Sequence, residues 1–355
     1  MRTDIDVLLR TLVIRKASDL HFQTGSSPVF RVNGELFFSD LKPLTAREVE
    51  EYAYSILSDD KIERFKRNNY IDFSYVVPSI ARFRVNIYRQ RGNIGIAARL
   101  IPFEIPSIEE LGLPLIVKDL AAKPNGLVLF TGPCGSGKTT SLAAIIEYIN
   151  TSFKKHIITI EDPIEFIHSN ASSMLNQREV GTDTESFAMA LKNALREDPN
   201  IILVGEMRDL DTISNAITAA ETGHLVFATL HTPNAAQAVD RIIDVFPAHQ
   251  QTQIRAQLSD VLRGIIVQSL LRKVDGTGRV AAFEIMTMNA GARSLIREGK
   301  TNQVYSLIQT GHQQGMQTLE SSLAALYKSG VVSVEEAKTK ANDVQTFEQL
   351  LRDSH

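Results

Sequence analysis

The sequence has little cysteine, no long apolar run and almost no net charge. Its single cysteine, Cys134, excludes an internal disulfide and a multi-cysteine zinc site, and it indicates a reducing compartment. No apolar run approaches the roughly 18 residues that a membrane-spanning helix needs. The opening residues, MRTDIDVLLR, carry acids where a signal peptide carries bases. We therefore expect a cytoplasmic protein.

The charge balance argues against a general attraction to nucleic acid or to an anionic membrane. The 355 residues include 38 basic and 41 acidic side chains, which give a net charge of -3. Such a balance creates no global field, so any electrostatic attraction has to be local. The length suits two domains, and a content of 43% hydrophobic and 22% charged residues is that of an ordinary folded protein.

The first hundred residues contain patterns of both helix and strand. Apolar residues recur at helical spacing over positions 5–13, and Thr45 with Glu48 forms a capping box for a second helix. Two short extended segments lie between them, ASDLHF and PVFRVNGELFF. The Asn33-Gly34 pair in the second segment suits a two-residue hairpin turn.

The segment RFRVNIY has the alternation of a strand with one covered face. Phe83, Val85 and Ile87 point to one side of this strand, and the polar residues that alternate with them point to the other: Arg82, Arg84 and Asn86. Together with the preceding patterns, this strand predicts a mixed α+β domain with an antiparallel sheet over residues 1–100.

Prolines are frequent in the next stretch, at positions 102, 106, 114 and 124. A capping pattern within it, Ser107 with Glu110, predicts a short helix. We interpret residues 101–125 as an interdomain linker with an anchoring helix, and we expect Pro102 and Pro106 to absorb a hinge movement.

From residue 126 onward, strand patterns alternate with helix patterns. Apolar segments separated by amphipathic helices predict a mainly parallel sheet that is covered on both faces. These segments are GLVLFTG, HIITIED, NIILVG and HLVFATLH. We expect an α/β core over residues 126–288, followed by a C-terminal helical region over residues 289–355.

The segment GPCGSGKT, at positions 132–139, matches the phosphate-loop pattern G-x-x-x-x-G-K-[ST] at every fixed place. It lies between an apolar strand and an amphipathic helix, where backbone N–H groups can converge on phosphates. The lysine of such a loop reaches the terminal phosphates, and the next hydroxyl can hold magnesium. The alternative is a glycine-rich turn with a surface lysine. The predicted nucleotide-binding residues are Gly132, Pro133, Cys134, Gly135, Ser136, Gly137, Lys138, Thr139 and Thr140.

Acidic residues follow two of the predicted core strands. The segment HIITIEDPIEF ends in Glu161, Asp162 and Glu165, and the segment LVGEMRDL places Gly205 before Glu206. The carboxyl ends of parallel strands are the usual ligand side of an open sheet. An acidic strand end is also common at an ordinary loop or helix start, so this pattern leaves both interpretations open.

Taken together, these segments closely resemble the secretion-ATPase superfamily and, within it, the type IV pilus retraction motors (PilT-like proteins). IEDPIEF matches the Asp box of that family, and Gly205-Glu206 matches its atypical Walker B motif. TGHLVFATLHT matches its His box, with His224 and His231. The resemblance extends over essentially the whole chain.

The resemblance implies a fold and a set of site residues. The fold is a RecA-like P-loop ATPase core with C-terminal helices, preceded by a smaller α+β (PAS-like) domain. The implied cofactors are ATP and Mg²⁺. Glu165 is the implied general base, and Glu206 holds magnesium together with Thr139, while Asp162 joins the nucleotide site. His224 and His231 are expected near the terminal phosphate.

Residues 61–100 carry nine basic side chains against two acidic ones, a local excess that composition alone does not explain. A solvated strand face, a nucleic-acid contact and arginines directed at a phosphate are all compatible with it. The resemblance implies the third, because motors of this family form hexameric rings in which arginines of the first domain complete the nucleotide site. Arg82, Arg84 and Arg99 are the candidates.

The function implied by the resemblance is that of a homo-hexameric motor that hydrolyses ATP and powers pilus retraction and twitching motility. The motor works by opening and closing a cleft between its two domains. The implied partner is the inner-membrane platform protein of the pilus machine, which brings the motor to the cytoplasmic face of the membrane. An accessory retraction ATPase and a secretion ATPase remain alternatives. A nucleic-acid translocase and a non-hydrolysing ring scaffold are further alternatives, although we expect no nucleic-acid partner.

Overall fold

The computed structural model describes residues 4–32, 34–78, 80–101 and 104–352. The chain divides into two compact units. The first comprises Met1–Glu104 and the short segment Pro163–Ile167, and the second comprises Ile105–Asp162 and His168–His355.

The first unit combines helices with an antiparallel sheet. Its elements are α1 (Ile5–Ile14), β1 (Asp19–Gln23), β2 (Val29–Val32), β3 (Glu35–Phe38), α2 (Ala46–Ser55), α3 (Asp59–Asn68), β4 (Tyr70–Val77), β5 (Ala81–Gln90) and β6 (Asn93–Ile101). The strands are arranged in the order β3-β2-β1-β6-β5-β4.

One face of this sheet forms the core of the first unit. Phe83, Val85 and Ile87 of β5 are buried there, as their alternation predicts, and α1 contributes Leu9 and Leu12. The capping box of Thr45 and Glu48 at the start of α2 is present with both of its hydrogen bonds. Asn33 of the predicted hairpin turn lies outside the described residues, but Val32 and Glu35 pair directly across β2 and β3.

The stretch that follows β6 contains one correction. Ser107 and Glu110 form the reciprocal hydrogen bonds of a capping box, with the Ser107 N–H donating to Glu110 at 2.7 Å. The residues after Ser107 form a turn instead of the predicted helix, and the helix of this stretch begins later, at Ile116. Pro114 lies on the path of the predicted helix, and proline cannot supply the N–H that a helix interior needs. Pro102, part of the predicted hinge, lies outside the described residues.

The second unit alternates strands and helices and then becomes helical. Its elements are α4 (Ile116–Ala121), β7 (Gly126–Thr131), α5 (Lys138–Ser152), β8 (His156–Glu161), β9 (Met174–Glu179), α6 (Phe187–Ala194), β10 (Ile201–Val204), α7 (Leu210–Glu221), β11 (Leu225–Thr229), α8 (Ala235–Asp244), α9 (Ala248–Val261), β12 (Leu262–Arg272), β13 (Arg279–Thr287), α10 (Ala290–Glu298), α11 (Val304–Thr310), α12 (Leu319–Lys328), α13 (Val334–Lys340) and α14 (Val344–Arg352).

The sheet of the second unit is mainly parallel, with the strand order β13-β12-β7-β11-β10-β8-β9. Neighbouring strands pair in parallel from β12 to β9, and β13 alone among the described strands of this sheet runs antiparallel to its neighbour. Successive residues of β7 enter different cores. Leu127 and Leu129 pack on the face covered by α6 to α9, whereas Val128 and Phe130 pack on the face covered by α4 and α5. Burial on both faces explains why these strands are apolar without interruption.

The last three helices, α12 to α14, pack against the turn end of the β12–β13 hairpin. Leu271 and Ala282 of the hairpin form a separate core with Leu323 of α12 and Phe347 of α14. In the described part of the chain, no helix combines the length and the apolar character that are needed to cross a bilayer.

Candidate nucleotide site

The phosphate loop joins the carboxyl end of β7 to the first turn of α5. Gly132 and Gly137 have φ values of 138° and 88°, which L-residues with a side chain rarely adopt. A Cβ atom at Gly132 would lie 2.2 Å from the backbone oxygen of Gln268, so a side chain there has no room. The Ser136 hydroxyl is buried and has no hydrogen-bond partner among the described residues, which fits a loop shaped to receive a ligand.

Lys138 begins α5 and turns back into this loop. Its Nζ donates hydrogen bonds to the carbonyl oxygens of Gly132 at 2.7 Å and Pro133 at 3.1 Å. The side chain is buried, and this burial lowers the pKa of Lys138, while Cys134 and Glu206 oppose the shift. A partly desolvated ammonium that is held by neutral carbonyl groups interacts strongly with an anionic phosphate.

Glu206 follows β10 and is the centre of a polar cluster beside the loop. Its Oε1 lies 2.5 Å from Arg208 Nε and 3.1 Å from His231 Nε2. Burial alone raises the pKa of Glu206, but the hydrogen bond from Arg208 and the neighbouring His231 outweigh it and leave that pKa below its ordinary value. Glu206 therefore stays a carboxylate over the physiological pH range.

His231 connects this cluster to the phosphate loop. Its Nδ1 lies 3.7 Å from Cys134 Sγ, so the two ring nitrogens face a thiol of the loop and the carboxylate of Glu206. The loop after β11 is held in place by Thr131, whose hydroxyl donates to the Thr232 carbonyl at 2.7 Å and accepts from the Thr232 N–H at 2.8 Å. His231 thus lies beside the phosphate loop, and its place near the terminal phosphate stays a prediction.

The two acidic residues at the end of β8, Glu161 and Asp162, differ in burial and in their neighbours. Glu161 is buried, and it accepts a hydrogen bond from Thr159 at 2.7 Å. Asp162 is exposed and lies near enough to Arg208 to raise the pKa of that arginine, after the larger effect of Glu206. Glu161 therefore has a structural position, whereas Asp162 faces the same cluster as Glu206.

Glu165 belongs to the segment that groups with the first unit. Its Oε1 lies 3.6 Å from Arg84 Nη1. Arg84 is also paired with Asp72, at 2.7 Å between Nη2 and Oδ2. The predicted general base and one of the predicted arginines are thus neighbours within the first unit.

The other two candidate arginines are held on the same sheet. Arg82 donates to the Ser74 hydroxyl at 2.5 Å, and Arg99 donates to Asp19 at 2.8 Å. Arg99 lies directly opposite Arg84 in the pairing of β5 with β6. The sheet therefore presents three guanidinium groups from adjacent strands on one face.

His224 lies apart from the phosphate loop of the same chain. It precedes β11, its ring Nδ1 lies 3.0 Å from the Ala219 carbonyl, and its own carbonyl accepts from the Gly126 N–H at the start of β7. His231 and the phosphate loop lie beyond the carboxyl ends of β11 and β7, which run parallel. The strand β11 therefore separates the two histidines, and the approach of His224 to a terminal phosphate stays a prediction.

Sequence analysis missed two residues of this site. Arg208 contacts Glu206, and Gln268 of β12 lies under the phosphate loop and accepts a hydrogen bond from Ser141 at 2.8 Å. The arginine follows Glu206 closely enough to have been considered, since charged neighbours are common around a functional carboxylate. Gln268 has no local signal, because its contact with Ser141 joins residues 127 positions apart.

The chain is similar to known proteins over nearly its whole length. The protein family described as Type II/IV secretion system protein matches residues 2–339. The chain is 49% identical over 344 residues to the "Type IV pilus retractation ATPase PilT" of Pseudomonas aeruginosa, covering 97% of this chain and 100% of that protein. It is 47% identical over 340 residues to the "Twitching motility protein" of Neisseria gonorrhoeae, with 96% and 91% covered.

A solved structure gives the same result for the fold. The structure described as "Crystal Structure of the Pilus Retraction Motor PilT and Bound ADP" matches with a TM-score of 0.91 at 46% identity, and the match covers 98% of this chain and 99% of that chain. The predicted RecA-like α/β fold is thereby confirmed. The chain belongs to the type II/IV secretion system protein family.

Proposed function

We propose that this chain is an ATP-hydrolysing motor that powers type IV pilus retraction as a homo-hexamer. The observation that carries the proposal is the convergence of Lys138, Glu206 and His231 around one phosphate loop. The names of its relatives in Pseudomonas aeruginosa and Neisseria gonorrhoeae support the assignment to retraction and twitching motility.

The phosphate loop binds the nucleotide through its backbone N–H groups and through Lys138. Lys138 exchanges its two carbonyl partners for phosphate oxygens, and the amino end of α5 adds its positive dipole. Binding of this kind depends on charge, and it requires the close approach that Gly132 and Gly137 allow.

The residues of this site fit a magnesium ion that is bound together with nucleotide phosphates. Magnesium prefers oxygen ligands and is usually held by one or two carboxylates plus phosphates. Thr139 offers an exposed hydroxyl at the start of α5, and Glu206 offers a carboxylate that remains ionised. When bound, the ion neutralises charge that develops on the phosphates. Glu206 would help to hold the ion, and Arg208 and His231 fix the orientation of its carboxylate.

Glu165 acts as the general base in this proposal, and the arginines of the first unit stabilise the transferred phosphoryl group. A carboxylate that orients water and a guanidinium at the terminal phosphate are the recurring protein contributions to phosphoryl transfer. Arg84 contacts Glu165, so nucleotide phosphate competes with that carboxylate for the same guanidinium. Arg82 and Arg99 lie on the same face of the sheet and complete the set.

The motor acts on the inner-membrane platform protein of the pilus machine and associates with the cytoplasmic membrane face through that partner. ATP binding, hydrolysis and product release change the arrangement of the two units, and the ring converts this change into movement of the partner. The proposal places the protein in the cytoplasm with a peripheral position at the inner membrane.

Two experiments test the proposal at separate levels. In a strain that carries only the Lys138→Ala variant, we expect surface pili in excess and no twitching, because extension continues without retraction. Lys192→Ala, which changes an exposed lysine of α6, is the matched control and should twitch normally. Loss of surface pili in the Lys138→Ala strain would contradict retraction and indicate an extension motor.

Purified protein tests the chemistry directly. We expect phosphate release from ATP by the wild type and its loss in Lys138→Ala. A wild type without phosphate release would identify a non-hydrolysing scaffold. Strong stimulation by DNA or RNA that falls steeply with salt would identify a nucleic-acid translocase instead.

A further inference from the structure

We propose that Gln268 is a positioning residue that sets the geometry of the phosphate loop for nucleotide binding. Gln268 lies on β12, is only 3% exposed, and belongs to none of the sequence motifs of the site. It lies against two of the three positive-φ glycines of the loop, Gly132 and Gly137. The inference deepens the proposed ATPase function and does not depend on pilus retraction.

The backbone of Gln268 supports the beginning of the loop. Strand β12 pairs in parallel with β7, with Val267 opposite Thr131. Gly132 follows β7 directly and therefore lies against the Gln268 carbonyl. The two backbones are close together: a Cβ atom added at Gly132 would lie only 2.2 Å from the Gln268 carbonyl oxygen.

The side chain of Gln268 supports the end of the loop. Its Oε1 accepts a hydrogen bond from the Ser141 hydroxyl at 2.8 Å, and Ser141 is itself buried in α5. Its Nε2 lies 2.9 Å from the position that a Cβ atom would take at Gly137. One side-chain amide thus packs against the last glycine of the loop and accepts a hydrogen bond from the helix that follows it.

The backbone carbonyl of Gln268 thus lies against the beginning of the loop, and its side-chain amide lies against the end of the loop and holds Ser141. The backbone N–H groups of the loop bind phosphate only when they point to the same place, and a shift of about 1 Å in such a site costs about 100-fold in activity. Gln268 is itself shielded by the loop, so we assign it to positioning and not to chemistry. Its removal should weaken nucleotide binding more than it slows hydrolysis.

The test is the dissociation constant of MgADP, measured by calorimetry on the full chain. Gln268→Leu keeps the side-chain size and removes the amide, and we expect about a tenfold rise in this constant, because the N–H groups of the loop are no longer held where they converge on the phosphates. The KM for ATP should rise with it, whereas kcat at saturating ATP should stay within about threefold. Gln317→Leu is the matched control, because it deletes an amide that bonds the Phe283 carbonyl of β13 at 3.2 Å and should leave the constant unchanged.

The partner residue provides the decisive second variant. Ser141→Ala should raise the dissociation constant in the wild type and should add nothing in the Gln268→Leu background, because both changes remove one interaction. Additive effects would overturn the inference, as would a folded Gln268→Leu variant that binds MgADP like the wild type. If Gln268→Leu does not fold, an unchanged dissociation constant of MgADP in Ser141→Ala overturns the inference. MgADP binding by the wild type keeps this result separate from any failure of hydrolysis or retraction.

Discussion

His231 Nε2 lies 3.1 Å from Glu206 Oε1. The other nitrogen of the same ring, Nδ1, lies 3.7 Å from Cys134 Sγ in the phosphate loop. One imidazole therefore spans from the end of β10 to the loop after β7, two elements that the strand β11 separates in the sheet. Because both sides of the ring have a polar neighbour, its orientation is restrained, and a change at the phosphates can reach Glu206 through it.

Replacement of His231 should therefore affect the chemical step more than binding. For His231→Ala we expect kcat to fall about 10- to 100-fold, because Glu206 loses a partner that orients it. The KM for ATP should change by less than about threefold, since His231 meets the loop through the side chain of Cys134 and leaves its backbone N–H groups to the nucleotide. Steady-state phosphate release measures both quantities. His312→Ala, at an exposed histidine of the C-terminal region, should behave like the wild type, and a rise in KM with unchanged kcat for His231→Ala would contradict the assigned role.

Alkylation of Cys134 should inactivate the protein. Its thiol is exposed, it is the single thiol of the chain, and it lies inside the loop that we propose to bind the phosphates. A maleimide adduct at this position blocks the approach of a nucleotide by its bulk. We expect one label per chain, loss of ATPase activity in proportion to labelling, and protection by MgADP.

The Cys134→Ala variant supplies the comparison for this prediction. Its ATPase rate, whatever its value, should be insensitive to the maleimide, because the chain then has no thiol. Full activity of the completely labelled wild type would show that the loop tolerates bulk at Cys134 and would contradict the site described above.

The strands that surround the nucleotide site were predictable because they carry strong local signals. β7, β8, β10 and β11 are apolar runs bounded by glycine or charged residues, and the loop after β7 has a fixed glycine spacing. β9 was missed, since its polar segment MLNQRE lies at the sheet edge and shows neither the helical spacing nor the strand alternation of apolar residues clearly. β12 was missed for a different reason. Its apolar run is compatible with a buried helix, and only the long-range pairing with β7 and β13 decides between them.

The candidate site was predictable to the extent that its residues are close in sequence to a motif. Lys138 and Glu206 belong to such motifs and lie together. Gln268 could not be found, because its place under the loop results from the parallel pairing of β12 with β7. His224 shows that closeness in sequence is not closeness in space. It is near His231 in sequence, but β11 lies between them and places the two histidines at opposite ends of the strand.

Arg99 should contribute to the stability of the first unit as well as to any contact with phosphate. It donates to Asp19 at 2.8 Å, and Asp19 is buried, with Arg31 farther away at 3.9 Å. We expect Arg99→Ala to lower the free energy of unfolding by about 1 to 2 kcal/mol, because a buried carboxylate loses its close charged partner. Denaturant unfolding measures this change.

The same substitution in the Asp19→Asn background distinguishes the two roles of Arg99. Without the carboxylate, Arg99→Ala should cost little stability, and the remaining loss of ATPase activity then reports the phosphate contact alone. An equal stability loss in both backgrounds would show that Arg99 acts through something other than Asp19.

The stability of the protein should fall as the pH rises toward neutrality because of Glu284. This residue of β13 is 2% exposed, and its Oε1 accepts the Ala235 N–H at the start of α8 at 2.7 Å. Burial raises the pKa of Glu284 to about 7 from an ordinary value of 4.5, with the Ala235 hydrogen bond opposing this effect and Glu320 adding to it. Between these two pH values the unfolded chain has released the proton and the folded chain still holds it, so folding becomes less favourable with rising pH.

Glu284→Gln removes this titration and tests its sign. Relative to the variant, the wild type should lose about 3 kcal/mol of stability between about pH 4.5 and pH 7 and should then level off, since both states are ionised above that range. Denaturant unfolding at a series of pH values measures the difference. Glu185→Gln, at an exposed glutamate, should follow the wild type at every pH. Parallel pH profiles for the wild type and Glu284→Gln would mean that Glu284 is ionised in the folded protein, and that the N–H groups at the start of α8 stabilise its charge fully.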